Sequence, residues 1–150
     1  MILDLEGKQH IIDWAMDLRS MKIYNNHKKE SWNHLAYPMM GFGFPEPSEP
    51  IETLVAGLTE NLRLYQEKFL SNSKFIAGED LTIADFGMAP FVKVLAHPYF
   101  QEHRGFKLSE RWETWLKDFE NAVPCSNMLT NAGGWALQEI FDSQSQKAKE

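Results

Sequence analysis

A chain of 150 residues, 43% of them hydrophobic, can bury one substantial core without help from metals or disulfides. Its formal net charge of −6 gives no electrostatic basis for a general attraction to nucleic-acid backbones or anionic membrane surfaces, so neither is expected as a partner. Cys125 is the only cysteine, which excludes an internal disulfide framework and suits a reducing compartment, with a cytoplasmic location as the expectation.

The start of the chain is apolar, but Asp4, Glu6 and Lys8 interrupt it before a signal-like run can form. No stretch approaches the roughly 20 apolar residues of a spanning helix. From about Leu5 to Tyr24, Ile11, Trp14, Ala15, Leu18 and Met21 recur at helical spacing with Ile12 and Ile23 beside them, which predicts a long amphipathic first helix. A polar stretch follows, then the aromatic and methionine-rich run WNHLAYPMMGFGFPEPSEP. A helix can resume near Trp32, but Pro38 must stop it, and the later glycines and prolines forbid regular structure up to Pro50.

Ser48, Glu49 and Pro50 predict the next helix start, with Ser48 as the capping side chain and Pro50 in the first turn. Ile51, Leu54, Val55, Leu58, Leu62, Tyr65 and Phe69 then mark one apolar face. After Gly78, Thr82 and Asp85 predict a capping box, in which each side chain bonds the other's backbone amide, and Leu81 is placed to pack on Phe86 as a hydrophobic staple. That helix runs toward Ala96 with Pro90 inside it, which removes one backbone donor, and it ends before Pro98. Ser109 to Asn121 gives another helix with Trp112, Trp115, Leu116 and Phe119 on one side, closed by Pro124. Trp135 to Phe141 predicts a short last helix. With no repeat and no alternating strand pattern, the expectation is an all-α bundle of about six helices, forming one domain over residues 1–144 with a polar tail at 145–150.

Motifs for chemistry are sparse. His10, His27, His34, His97 and His103 have no metal-ligand spacing, so no metal site is expected. Cys125 stands between Pro124 and Ser126 without a local histidine to activate it. Phosphate-loop and nucleophile-elbow signatures are missing, and Gly41-Phe42-Gly43 is only a flexible aromatic loop. Acidic pairs such as Glu79 and Asp80, or Glu110 and Glu113, are explained by turns and helix starts. The segment carrying Tyr24, Trp32, Ala36, Tyr37, Met39, Met40 and Phe42 differs. Adaptable Met and aromatic groups gather there where the chain cannot remain a simple helix, a composition suited to a pocket for varied apolar ligands. Ordinary packing between the first two helices is the competing reading.

The segment KFIAGEDLTIADF, Lys74 to Phe86, resembles the glutathione transferase signature in which a Phe-x-x-Gly turn leads into Thr/Ser-x-x-Asp at the start of a central helix. Tyr65 to Phe75, and Trp32 followed six residues later by Pro38, are similar to theta-like classes. The resemblance runs from about Gly7 to Phe141. It implies the C-terminal helical half of such an enzyme, which lines the site for a hydrophobic electrophilic small molecule. A thioredoxin-like N-terminal domain would bind the cosubstrate glutathione and supply the group that stabilises its thiolate. On this resemblance no residue here is catalytic, no cofactor belongs to this chain, and Tyr24, Trp32, Ala36 and Trp135 are candidates for the wall of the substrate site. A basic residue is common in theta-like sequences near the position of Tyr24. His97-Pro98 looks like the pair that can end the central helix, but it falls three residues late, and His97 receives no role. A homodimer is implied. The same helical fold also serves as an assembly module in elongation-factor subunits and tRNA synthetase complexes, so a stand-alone interaction module is the alternative. Thr82 and Asp85 are expected to be structural, each contributing on the order of 1 kcal/mol as a cap.

Overall fold

In the computed structural model, the chain's backbone is described for residues 2–20, 32–126 and 134–150, and its side chains for 7–20, 34–126 and 139–150. Among these residues the fold is all-helical: α1 (Ile2–Leu18), α2 (Trp32–Ala36) running into a 3-10 turn (Tyr37–Met40), α3 (Ile51–Phe69), α4 (Ile83–Leu95), α5 (Pro98–Arg104), α6 (Glu110–Ala122) and α7 (Gly134–Lys147). The hub is α4, an apolar helix packed by α1, α5, α6 and α7. Residues Ala84, Met88, Ala89, Val92, Val94 and Leu95 of this helix are all buried, as expected of a helix surrounded by others.

The start of α4 is fixed by one side chain. Asp85 is wholly buried, and it makes the capping box with Thr82. Its Oδ2 accepts the Thr82 backbone N–H at 2.9 Å and the Thr82 hydroxyl at 3.0 Å. Its Oδ1 accepts the Ile76 N–H at 3.0 Å and the Trp115 indole N–H at 3.0 Å. Four donors fill a carboxylate's acceptor capacity, which is how a charge can sit inside without a counter-ion. The preceding turn is closed by Phe75 and Gly78, whose backbones bond each other in both directions with Gly78 at φ 125, a conformation that favours glycine. Arg111 reaches across from α6 to the carbonyls of Leu70, Ser73 and Lys74.

The regular apolar spacing on α3 and α6 produces the expected packing. Leu54, Leu58, Leu62, Tyr65 and Phe69 are buried on α3, as are Trp112, Trp115, Leu116 and Phe119 on α6. The indole N–H of Trp112 donates to the Leu62 carbonyl at 3.2 Å, so this large ring is buried with its polar atom satisfied. Ser109 caps α6 by accepting the Trp112 N–H.

Other local expectations change. Pro50, not Ser48, stands at the N-cap of α3. The Ser48 hydroxyl bonds the neighbouring Glu49 carboxylate and makes no cap. Helix α5 has no long periodic pattern to announce it. It begins at the His97-Pro98 step, where His97 Nδ1 accepts the Tyr99 N–H at 3.1 Å. The last helix continues to Lys147, so residues 145–147 are helical rather than part of a polar tail. Ile11 and Trp14, expected on the inner stripe of α1, are 37% and 45% exposed. The inner face is formed instead by Ala15 with the partly buried Ile12, Met16 and Leu18. The ring of Phe86 meets Phe119 edge-on at 5.2 Å.

Tyr65 ties α3 to α1: its hydroxyl donates to the Ala15 carbonyl at 3.2 Å inside the core. Burial, and after it the Asp85 charge, raises the phenol above its ordinary value of 10.0, while Arg19 acts in the opposite direction. The folded state therefore keeps this proton more firmly than the unfolded one, so the contribution is complete below pH 10 and is lost as the pH rises above it. Tyr65→Phe is expected to cost about 1 kcal/mol at neutral pH through the lost hydrogen bond. The gap between the two proteins should narrow above pH 10, because Phe has no proton to lose. Denaturant midpoints at neutral and alkaline pH check this, and a gap that stays constant would contradict it.

Candidate functional site

Helices α1 and α4 run parallel: Lys8 Nζ reaches Asp80 Oδ2 at 3.4 Å near their starts, and further along Arg19 Nη1 donates to the Gly87 carbonyl at 3.2 Å. The seam is tight. A Cβ on Gly87 would stand 3.0 Å from Met16 Sδ, and the Arg19 guanidinium carbon lies 5.3 Å from the centre of the Phe91 ring. Regular α1 ends at Leu18, and Arg19 and Ser20 take a wider helical turn.

The methionine and aromatic run after α2 separates into buried and exposed parts. Leu35 and Ala36 are completely enclosed, and Met39 and Met40 are nearly so, because the 3-10 turn packs on both α2 and α7. Tyr37 is half-buried, with its ring 5.3 Å from that of Phe44. Phe42 and Phe44 are 66% and 49% exposed. Gly41 is left-handed at φ 75 and lies against the Gln144 side chain of α7, so a Cβ there would collide with its amide. Arg104 of α5 holds this segment from below. Its buried guanidinium donates to the Leu35 carbonyl through Nε at 2.8 Å and pairs with Glu46 through Nη1 at 2.9 Å.

Helix α7 closes the same side. Phe141 is fully buried, with His97, Tyr99 and Phe100 around it at ring-centre distances of 5.5, 5.9 and 6.4 Å. His97 Nε2 bonds Asp142 Oδ1 at 2.9 Å. Since His97 Nδ1 already accepts the Tyr99 N–H, the arrangement calls for the tautomer that donates from Nε2. His97 thus joins the start of α5 to the middle of α7, a role that only the histidine-proline pair could have signalled in the sequence.

Of the sequence-selected wall residues, Ala36 lies in the core, where it contributes packing. Trp32 opens α2 and Trp135 lies in the first turn of α7, and both of these side chains fall outside the described residues, as does Tyr24 entirely. The 3-10 turn after α2 packs against α7, where Gly41 lies beside Gln144 in the second half of that helix. Clefts lie elsewhere among the described residues. One of about 480 Å³ lies between α3 and the start of α6, floored by Leu62, Leu108 and Trp112, and its rim residue Arg63 is engaged by Glu60 and Glu67. Another, of about 410 Å³, is polar and lies between α4, α5 and α7 around His97 and Asp142. Neither lining includes Ala36.

Among the described residues no group of three or more His, Cys, Asp or Glu side chains is arranged to hold a metal ion. No described helix is long and apolar enough to cross a membrane. Cys125 is an exposed free thiol. The segment after the 3-10 turn presents exposed Phe42 and Phe44, while the nearby Glu46 carboxylate is paired with Arg104.

Compared with known proteins, the chain is 30% identical over 78 residues to glutathione S-transferase theta-1 of the chicken, Gallus gallus. The match takes in 52% of this chain and 30% of that protein, so the chain spans less than a third of its relative's length. No protein-family model matches, and no solved structure matches. The likeness supports a glutathione transferase-like relation, and the all-helical architecture is consistent with the C-terminal bundle of that family.

Proposed function

We propose that this chain is the helical, electrophile-facing half of a theta-like glutathione transferase. The 78-residue likeness to the chicken theta-1 enzyme carries the reading, and the exposed aromatic groups beside α2 and α7 agree with it. In the complete enzyme a thioredoxin-like domain would bind glutathione and stabilise its thiolate. The wall after α1, with Trp32, Tyr24 and, from α7, Trp135, would hold the apolar electrophile for attack. The thiolate sulfur bonds to the electrophilic carbon, and a leaving group departs or a ring opens. Ala36 supports that wall from behind. Ile83 and Phe86, 67% and 45% exposed at the start of α4, belong to the apolar surface that a thioredoxin-like domain would cover. A cytoplasmic homodimer is the assembly this reading favours.

The full chain should bind the uncharged naphthalene dye prodan saturably, yet leave the reaction of glutathione with an aryl halide at its uncatalysed rate. Strong conjugation by the chain alone would overturn the division of labour proposed here.

A further inference from the structure

We propose that Arg104 is a receptor for aryl carboxylates, and that the segment after the 3-10 turn occupies it with its own Glu46 carboxylate. The site is built from this chain alone and needs no glutathione, so it stands apart from the transferase reading.

Arg104 comes from the last turn of α5, and its side chain is 3% exposed. Its Nε is committed: it donates to the Leu35 carbonyl at 2.8 Å and so fixes the plane of the guanidinium. Nη1 pairs with Glu46 Oε2 at 2.9 Å, while Nη2 is buried and has no acceptor among the described residues. A guanidinium presents parallel N–H groups that match both oxygens of a carboxylate, so Glu46 uses only part of what the fork offers. A buried charged donor without a partner is unfavourable. A carboxylate that engaged Nη1 and Nη2 together would remove that cost.

Glu46 is an exchangeable occupant. Its side chain is 57% exposed, and it belongs to a stretch, residues 42–48, that makes no backbone–backbone hydrogen bond among the described residues. Gly41 and Gly43, left-handed at φ 75 and 77, flank Phe42 at the start of this stretch. Pro45 and Pro47 stiffen the chain on either side of Glu46, so it can move as a strap about the two glycines. Two side-chain contacts hold the strap down. The Phe44 ring lies 5.3 Å from that of Tyr37, and two residues further on Glu46 reaches Arg104. Together they define the ligand: an aromatic group for Tyr37 joined to a carboxylate for Arg104. Such a ligand exchanges a one-pronged pair for a two-pronged one, and Phe44, already 49% exposed, loses little by lifting away.

The test uses the full chain in equilibrium dialysis with 2-naphthoate, and with uncharged 2-acetylnaphthalene as the control. Wild type should bind 2-naphthoate weakly and saturably, because Glu46 holds most molecules closed. Glu46→Gln and Glu46→Asp should each bind it about tenfold more tightly, the gain expected if the clasp leaves about a tenth of the molecules open. Affinity for 2-acetylnaphthalene should not change. Asp keeps the charge but lacks the reach, which separates release of the strap from loss of a negative charge. Glu49→Gln, the same charge change three residues on, should bind 2-naphthoate as wild type does. Equal affinity for 2-naphthoate in wild type and both Glu46 variants would overturn the proposal, as would an equal gain with Glu49→Gln or with 2-acetylnaphthalene. Absence of saturable 2-naphthoate binding in all of these proteins would overturn it too, and would leave the prodan test of the transferase reading untouched.

Discussion

Asp85→Ala is expected to destabilise the protein by about 4 kcal/mol, far more than removal of an ordinary helix cap. The reciprocal bonds with Thr82 alone would make this residue worth about 1 kcal/mol. In the folded chain the same carboxylate also accepts the Ile76 N–H, from the turn before α4, and the Trp115 indole, from α6. Alanine would strand both of these buried donors, and each stranded donor costs about 1–3 kcal/mol. Asp85→Asn should recover little, since its amide nitrogen would face donors. Thr82→Ala removes one hydroxyl and should cost only about 1 kcal/mol. Urea unfolding of the three variants, followed by tryptophan fluorescence, gives the comparison. An Asp85→Ala cost no larger than that of Thr82→Ala would contradict the role of Asp85 as the junction of three segments.

Phe141→Ala should be nearly as damaging, at about 3–4 kcal/mol, because its fully buried ring fills space among α5 and α7 side chains that cannot all collapse inward. The effect should also be local. Helix α7 also packs on α4 and on the 3-10 turn, and it is tied by the bond between His97 and Asp142. Without the ring, its second half should become the first site of proteolysis, while the α3–α6 core remains protected. Limited digestion followed by mass spectrometry reads this directly. Cleavage spread evenly over the bundle, or no change in the unfolding midpoint, would rule out Phe141 as the anchor of α7.

Both residues show which features were legible in the sequence. Thr82 and Asp85 are three apart beside an apolar run, so the chemistry of the cap is local and readable, whereas Ile76 and Trp115 join it only through the fold. Helices α3 and α6 were readable for a similar reason: one continuous apolar face of each meets the core. Helix α1 was harder. Its approach to α4 is limited by Gly87 and Met16, so small Ala15 faces inward while the larger Trp14 turns outward, against Phe69 and beneath Lys68. Helix α5 has only seven residues, too few for periodicity, and its start depends on a histidine acceptor instead of Ser, Thr, Asp or Asn. The polar end of α7 looked like a tail because Gln144 and Ser145 have no apolar signal, yet one lies against Gly41 and the other lines the cleft at His97.

The candidate site was legible as a composition more than as a geometry. The run from Trp32 to Phe44 announced an unusual concentration of Met and aromatic groups, but burial divides it. Met39, Met40 and Ala36 complete the core, while Phe42 and Phe44 face outward. Arg19 and Arg104 escaped the sequence reading, since a lone arginine carries no pattern until the carbonyl it serves is known. Those carbonyls, of Gly87 and Leu35, are 68 and 69 residues away along the chain.

The central claim is that these helices form the electrophile-binding half of a glutathione transferase. Its most direct test joins the full chain downstream of the thioredoxin-like half of the chicken theta-1 enzyme and measures conjugation of glutathione to an aryl halide and an epoxide. Saturable catalysis of at least one by the joined protein, with none above background by either half, is the expected result. A joined protein that folds and retains glutathione binding, but reacts no faster than the thioredoxin-like half alone, would contradict it.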